Sequence, residues 1–389
     1  MTERIRVGVI GGGNISRRLH LPTWMSRPDV TVVAVADPSP AALESARTIA
    51  AIDPSHAYRD PYALVDRDDV DVVDVCTPPA FRSDLICAAA SRGKHVFAEK
   101  PLATNPSDAA AAVEAAERSG ITFAMGHNYL VLDEIRAALE VIRSGEIGIV
   151  RTATVNYLGV EYVPGLAGDW RRNPAFSGGG VLMDIVHAVY LVEAFLGEPI
   201  VRASAFVDSS DSQSHVEDLA LCRFETATKA GLVNVGWGYG DGRIDVAGTK
   251  GRVSIRYRDG GTAPWAPLEA VTVTTACGST RTVLGPEEPR PEIYDEFPPI
   301  SKTFPRLIAD FLDAVRSKRP PLASGVDGLR VLEATVGAYA SAATSQSVCI
   351  PLDRAGPLFL RGTVGVPELG RPAWSPLERL PLFRSPDEV

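Results

Sequence analysis

The sequence predicts a doubly wound parallel α/β domain followed by an α+β domain built on a large, mainly antiparallel open sheet. Three observations carry that expectation. Over the first third, short β-branched runs alternate with Ala-rich helical segments, a strand–helix–strand rhythm that needs a parallel sheet covered on both faces. Beyond about residue 126, strand-like runs follow one another with few helices between them. The chain has 389 residues, enough for two domains that each bury a core.

In chain order, strands are expected over 6–10, 31–36 (TVVAVA), 70–76 (VDVVDVC), 95–98 and 122–126, with helices over 40–49, 82–91 and 108–119. A helix over 135–143 then stops at Ser144-Gly145, a C-cap signal. Strands follow over 150–157, 200–207, 219–225, 231–237, 243–247 and 252–257, and the stretch FETATKAGLVNV reads as a hairpin. Two more strands fit within 270–283, and helices fit 181–196, 304–316 and 326–344. This places a dinucleotide-binding domain at 1–126 and a substrate-binding and oligomerisation domain at 127–351. The Pro-rich tail at 352–389 is either disordered or an arm packed on its own or a neighbouring subunit.

Charge and cysteine usage narrow the function classes. The net charge is -9 and no basic run is present, which speaks against nucleic acid because phosphate binding needs clustered Lys and Arg. The five cysteines are scattered without a CxxC pair, as expected of reduced thiols in the cytoplasm. The N-terminus lacks the apolar core of a signal peptide, and no apolar run is long enough for a membrane span. His20, His56 and His215 have no partners at metal-ligand sequence spacing, so no metal site is expected.

The first chemical signal is VGVIGGGNIS, with Gly11, Gly13 and Ser16 at the three small positions of a phosphate-binding turn and Asn14 and Ile15 between them. The first glycine permits the turn, the second admits a pyrophosphate to the backbone, and the third position needs a small side chain where helix meets strand. The following helix points its positive end at the phosphates. Asp37 ends the second strand. A carboxylate there accepts from ribose hydroxyls and repels a 2′-phosphate, which favours NAD over NADP. Cys76-Thr77-Pro78-Pro79 ends a further strand where the nicotinamide half should lie, and GKHVFAEKPLA follows with Glu99, Lys100 and Pro101.

With the later GGGVLMD and the closing FPRLIADFLDAVRSKRPPLASGVDGLRVLEATVGAYASAATSQSVCIPL, these motifs resemble the glucose–fructose oxidoreductase/inositol dehydrogenase (Gfo/Idh/MocA) family from about residue 5 to about 351. The resemblance implies a Rossmann domain that uses NAD, or less favourably NADP, to oxidise or reduce CH–OH groups of sugars, glycosides or cyclitols. It implies that Thr77, Pro78, Glu99 and Lys100 meet the cofactor, with Lys100 between the nicotinamide ribose and the substrate hydroxyl. An ammonium there stabilises charge developing on the substrate oxygen.

Asp184 and His187 stand out on an otherwise apolar helix, three residues apart and so neighbours on one face. The resemblance implies that both contact substrate and that the histidine is the general base, a role suited to an imidazole near neutral pH. The family more often spaces these residues by four. A three-residue spacing moves the ring ~100° around a regular helix unless the helix is distorted. Trp170 and Arg171 are further substrate-binding candidates, the first to stack on a sugar and the second to bind polar groups. Tyr129-Leu130 stands where the family carries an aromatic followed by Arg, and Arg82 where it often has His. The expected activity is hydride transfer between NAD and a sugar or cyclitol. The alternatives are glycoside cleavage through transient oxidation by bound NAD, and a non-catalytic dinucleotide-binding regulator. An open antiparallel sheet with helices on one face also predicts a homodimer, or a tetramer of two dimers.

Overall fold

The structure is a computed structural model that describes residues 4–160, 169–210, 214–238, 242–258, 268–286 and 302–369. The chain forms two compact units. The first holds Met1–His127, Pro164–Trp170 and Phe304–Leu329, and the second holds Asn128–Val163, Arg171–Thr303 and Arg330–Val389.

The first unit contains a parallel sheet of β1 (Ile5–Ile10), β2 (Val30–Ala36), β3 (Ala57–Tyr58), β4 (Val72–Val75), β5 (His95–Ala98) and β6 (Phe123–Met125). Their order is β3-β2-β1-β4-β5-β6. β1 pairs in parallel with both β2 and β4, so the strand order reverses there and leaves a crevice beyond the carboxyl ends of the two. Its helices are α1 (Leu21–Met25), α2 (Pro40–Ile49), α3 (Pro61–Val65), α4 (Arg82–Ser91) and α5 (Pro106–Ser119). Ser39, Asp60 and Asn105 cap α2, α3 and α5 by accepting from Ala42, Tyr62 and Asp108 N–H, and each of these helices has proline in its first turn. The late helix Thr303–Ser317 adds Phe304 and Phe311 to this core. Phe311 packs against Phe97 with ring centroids 5.6 Å apart. β3 and α3 escaped the sequence reading because two and five residues are too few to display a period.

The second unit opens with α6 (Asp133–Arg143) and builds a nine-stranded sheet in the order β14-β13-β12-β11-β7-β10-β9-β8-β15. The strands are β7 (Val150–Val160), β8 (Arg202–Asp208), β9 (Leu219–Glu225), β10 (Ala230–Trp237), β11 (Gly242–Gly248), β12 (Gly251–Tyr257), β13 (Leu268–Thr275), β14 (Thr280–Leu284) and β15 (Val348–Cys349). β9 and β10 form the expected hairpin. Only β7 and β10, among the described pairs, run parallel. Between β7 and β8 lie α7 (Pro174–Ser177), α8 (Val181–Asp184) and α9 (His187–Leu196). α9 rests on the sheet so closely that a Cβ at Gly231 would lie 2.6 Å from Val192.

The structure corrects the single helix expected over 181–196. It is two pieces, bent by 48° at a break between Asp184 and His187. Ile185 has ψ 34°, and the N–H groups of Ala188 and Val189 reach back three residues, to Ile185 and Val186. That is a tight 3₁₀-type turn. No single helix among the described residues is long and apolar enough to cross a membrane. The first half of the Pro-rich tail packs on its own unit. Leu358, Phe359 and Val366 are buried, and Thr363 donates to the Gly178 carbonyl at 2.8 Å. Residues 370–389 lie outside the described residues.

Candidate active site

In the first unit the site starts at the glycine turn after β1. Gly11 has φ +99°, and a Cβ there would lie 2.9 Å from the Cys76 carbonyl group. A Cβ at Gly12 would lie 2.5 Å from the Ala42 carbonyl oxygen, whereas one at Gly13 would meet nothing within 4 Å. The backbone therefore demands the first two glycines, and the third faces open space into which a pyrophosphate fits. Arg17 N–H closes the first helical turn on the Gly13 carbonyl at 3.1 Å, so Asn14 and Ile15 occupy the helix start. Ser16 is fully buried and supplies the small third position. Asp37 ties β2 to this turn, its carboxylate accepting from Gly12 N–H at 2.7 Å and from Ser39 N–H at 2.8 Å.

Two buried hydroxyls, Ser16 Oγ and Thr77 Oγ1, have no hydrogen-bond partner among the described residues. Both lie in segments that leave the carboxyl ends of the switch-point strands β1 and β4. Orphaned donors there, an open Gly13 and a carboxylate just past β2 fit a dinucleotide, for which Gly11–Ser16 would hold the pyrophosphate and Asp37 the ribose. Pro78 follows Thr77 and begins a short turn leading to α4.

The EKP segment leaves β5 beside this crevice. Glu99 is buried. One of its oxygens accepts Lys100 N–H at 3.0 Å, and the other lies 3.1 Å from His20 Nε2. Arg82 is buried and donates to the Pro101 carbonyl, so α4 also braces this turn. Lys100 itself is half-buried.

His20, which has no partner at metal-ligand spacing in the sequence, gains partners through the fold. Its Nδ1 lies 2.9 Å from Asp74 and 3.2 Å from Cys76 Sγ, while Trp24 Nε1 donates to the same Asp74 carboxylate at 2.7 Å. Nothing in sequence spacing reveals this cluster, because its members come from three segments far apart in the chain, at 20–24, 74–76 and 99. His20, Asp74 and Cys76 place donor atoms within 4.8 Å of one another, a set of metal-ligand type. Hydrogen bonds already join these donors, and burial pushes the Cys76 thiol up to about 12, so it keeps its proton. Burial pushes the His20 pKa down, but the neighbouring Asp74 and Cys76 together more than offset this, and the net direction is well above the ordinary value. In Glu99, burial pushes the carboxyl up, but the hydrogen bond and charge of His20, with the charges of Lys100 and Arg82, together hold it below its usual range.

In the second unit the glycine run shapes the other candidate residues. A Cβ at Gly179 would lie 2.3 Å from Tyr339 Oη, and one at Gly180 would lie 2.1 Å from the Glu217 carbonyl oxygen. The Glu217 side chain is fully buried. It accepts from Gly180 N–H at 2.8 Å, Leu182 N–H at 2.9 Å and Tyr339 Oη at 2.7 Å. Burial raises its carboxyl to about 7, against these hydrogen bonds. Sequence reasoning missed this anchor, which lies more than thirty residues from the turn it holds.

Asp184 ends α8 and accepts from Arg171 Nε at 2.9 Å, so these two candidates come together. Trp170 is half-buried in the preceding turn. His187 opens α9 and is 5% exposed. Its Nδ1 lies 2.6 Å from Tyr190 Oη, and its ring stacks on Tyr129 with centroids 3.8 Å apart. Tyr190 Oη also accepts Tyr129 N–H at 3.1 Å. The break after Asp184 removes the 100° argument of a regular helix, because Asp184 and His187 no longer share one helix axis.

Residues 5–127 match the oxidoreductase family with an NAD-binding Rossmann fold, and residues 140–350 match its C-terminal α/β domain. The chain belongs to the Gfo/Idh/MocA family. It is an oxidoreductase, and NAD is its cofactor. Among Gfo/Idh/MocA relatives, the chain is 26% identical over 365 residues to inositol 2-dehydrogenase of Rhizobium meliloti, covering 89% of this chain and 99% of that one. It is 31% identical over 261 residues to dTDP-3,4-didehydro-2,6-dideoxy-alpha-D-glucose 3-reductase of Saccharopolyspora spinosa, covering 66% and 75%. A levoglucosan dehydrogenase solved with NADH and levoglucosan shares the fold, with a TM-score of 0.77, 21% identity, and coverage of 90% of this chain and 100% of that one.

Proposed function

We propose that this protein transfers a hydride between NAD and a hydroxyl-bearing carbon of a sugar, glycoside or cyclitol. The observation that carries the reading is the Glu99–Lys100 anchor at the end of β5, beside a turn built for a dinucleotide. The relatives named for inositol and deoxysugar substrates support the substrate class.

When bound, NAD supplies the hydride acceptor. Lys100 stabilises the substrate oxygen as its charge develops. His187 takes the hydroxyl proton. For Nε2 to accept it, Nδ1 must carry the other proton and donate to Tyr190 Oη. Asp184, held by Arg171, orients substrate hydroxyls, and Trp170 offers an aromatic face.

The test is NADH formation from NAD with a panel including myo-inositol, levoglucosan and free aldoses. Lys100→Ala and His187→Ala should each lose roughly 10²–10⁴-fold in kcat while NADH binding survives. If His187→Ala turns over normally and Lys100→Ala does not, α9 contributes binding only. If neither NADH nor NADPH binds, the reading fails.

We also propose a homodimer, or a tetramer of two dimers, formed through the open face of the second unit's sheet. Phe206, Leu221 and Leu232 stand on that face, 43%, 40% and 43% exposed, and Phe206 and Leu221 are cross-strand partners.

A further inference from the structure

The buried cluster around His20 has the geometry of a device rather than of a filled core. Each ring nitrogen faces a different carboxylate, Nδ1 at 2.9 Å from Asp74 and Nε2 at 3.1 Å from Glu99. A neutral imidazole can donate from one nitrogen only, so both contacts are satisfied together only by the doubly protonated ring. Three charges sealed from water are strongly coupled, and each then dictates where the others sit. The ring has little freedom to tilt, because Phe304 and Phe97 flank it with centroids at 4.6 Å and 5.7 Å.

The two sides of the ring do different work. On the Nδ1 side, Asp74 also takes the Trp24 indole N–H, which ties α1 to β4 and belongs to the core. On the Nε2 side, Glu99 is caught between the ring and the Lys100 N–H, one oxygen to each. Rotation of the Glu99 carboxylate would break one bond or the other. The backbone position from which the Lys100 side chain starts is thereby set by the ring behind it.

We propose that His20 is a positioning residue for the reaction, holding Lys100 at the nicotinamide through Glu99. This rests on the role given to Lys100 under the proposed function. His20 never meets substrate or cofactor and acts only through the carboxylate.

The ring's two nitrogens allow a separation of roles. The amide nitrogen of glutamine reaches the Nε2 position and can still donate to Glu99, while that of asparagine reaches only the Nδ1 position and donates to Asp74. A purely structural histidine would be served better by asparagine, and a positioning one by glutamine. The direct readout is the NMR signal of Lys100 in the full-length, NADH-saturated protein after reductive ¹³C-methylation, with the Lys100 resonance identified by its loss in Lys100→Arg. In wild type and His20→Gln it should be a single line displaced from the solvated lysines. In His20→Asn it should broaden or move to the solvated position, with NADH affinity within about threefold of wild type. Loss of the wild-type line position in His20→Gln but not in His20→Asn, its loss in both, or its retention in both would overturn the proposal.

Turnover of the sugar or cyclitol that wild type oxidises gives the second reading. His20→Asn should lose about 10–100-fold in kcat with KM little changed, the scale of a reacting group displaced by about an ångström, and His20→Gln should recover most of it. If Lys100→Ala leaves kcat intact, the catalytic assignment of Lys100 falls, while the NMR response still decides whether His20 positions it.

Discussion

Asp37 follows β2, and its carboxylate accepts the N–H of Gly12; on the proposed reading it would take the ribose of the dinucleotide. A carboxylate in that role would repel a 2′-phosphate. Asp37→Ala should therefore weaken NADH binding and shift preference toward NADPH, as fluorescence titration with each would show. Unchanged preference would mean that another group discriminates. This residue was legible in sequence because the strand, the turn and the acid come in a fixed local order. His20 was not. Its partners Asp74, Cys76 and Glu99 are brought to it only by the parallel pairing of β1, β4 and β5, and no spacing rule reports a contact made by a sheet.

The glycine run and the broken helix make the element-scale case. At Gly180 a Cβ would sit 2.1 Å from the Glu217 carbonyl oxygen and 2.7 Å from its buried side-chain carboxylate, itself pinned by hydrogen bonds. Gly180→Ala should destabilise the fold by roughly 1–3 kcal/mol, the usual range for overpacking, measured as a lower urea midpoint. Glu217 adds a pH signature. Its carboxyl is raised from 4.5 to about 7 in the folded protein, so between those values the native state holds a proton that the unfolded chain has released. Stability should fall as pH rises from about 4.5 to about 7, then level off. Urea titrations of wild type and Glu217→Gln across that window would show the slope in the first and its loss in the second.

The sequence reading of this region recovered the apolar helix and the two polar residues within it. It could not see the break, because Ile185 and Val186 continue the apolar pattern across it. Adjacent β-branched residues are weak helix formers, and the observed turn gives the Asp184–His187 spacing a geometry that a helical wheel cannot supply.

At the scale of the whole molecule, the order β3-β2-β1-β4-β5-β6 places the glycine turn, Thr77 and the EKP segment at the ends of three adjacent strands; the alternating pattern predicts the parallel sheet but not this order. The second sheet was legible in sequence except for the two-residue β15, but the parallel β7–β10 pairing was not, since strand direction leaves no mark on a period-2 pattern. Its open face carries the assembly prediction. Sedimentation should show a dimer or tetramer at micromolar concentration, and Leu221→Arg should shift it toward monomer. A wild-type monomer would contradict this.

The most direct test of the central claim is the rate of NADH appearance when wild type and Lys100→Ala are mixed with NAD and the sugar–cyclitol panel, with NADH affinity measured in parallel. The account predicts turnover by wild type on at least one polyol, and a loss of about 100-fold or more in kcat for Lys100→Ala at nearly unchanged NADH affinity. A wild type that binds NAD yet reduces it with no member of the panel, or a Lys100→Ala variant that turns over at the wild-type rate, would contradict it.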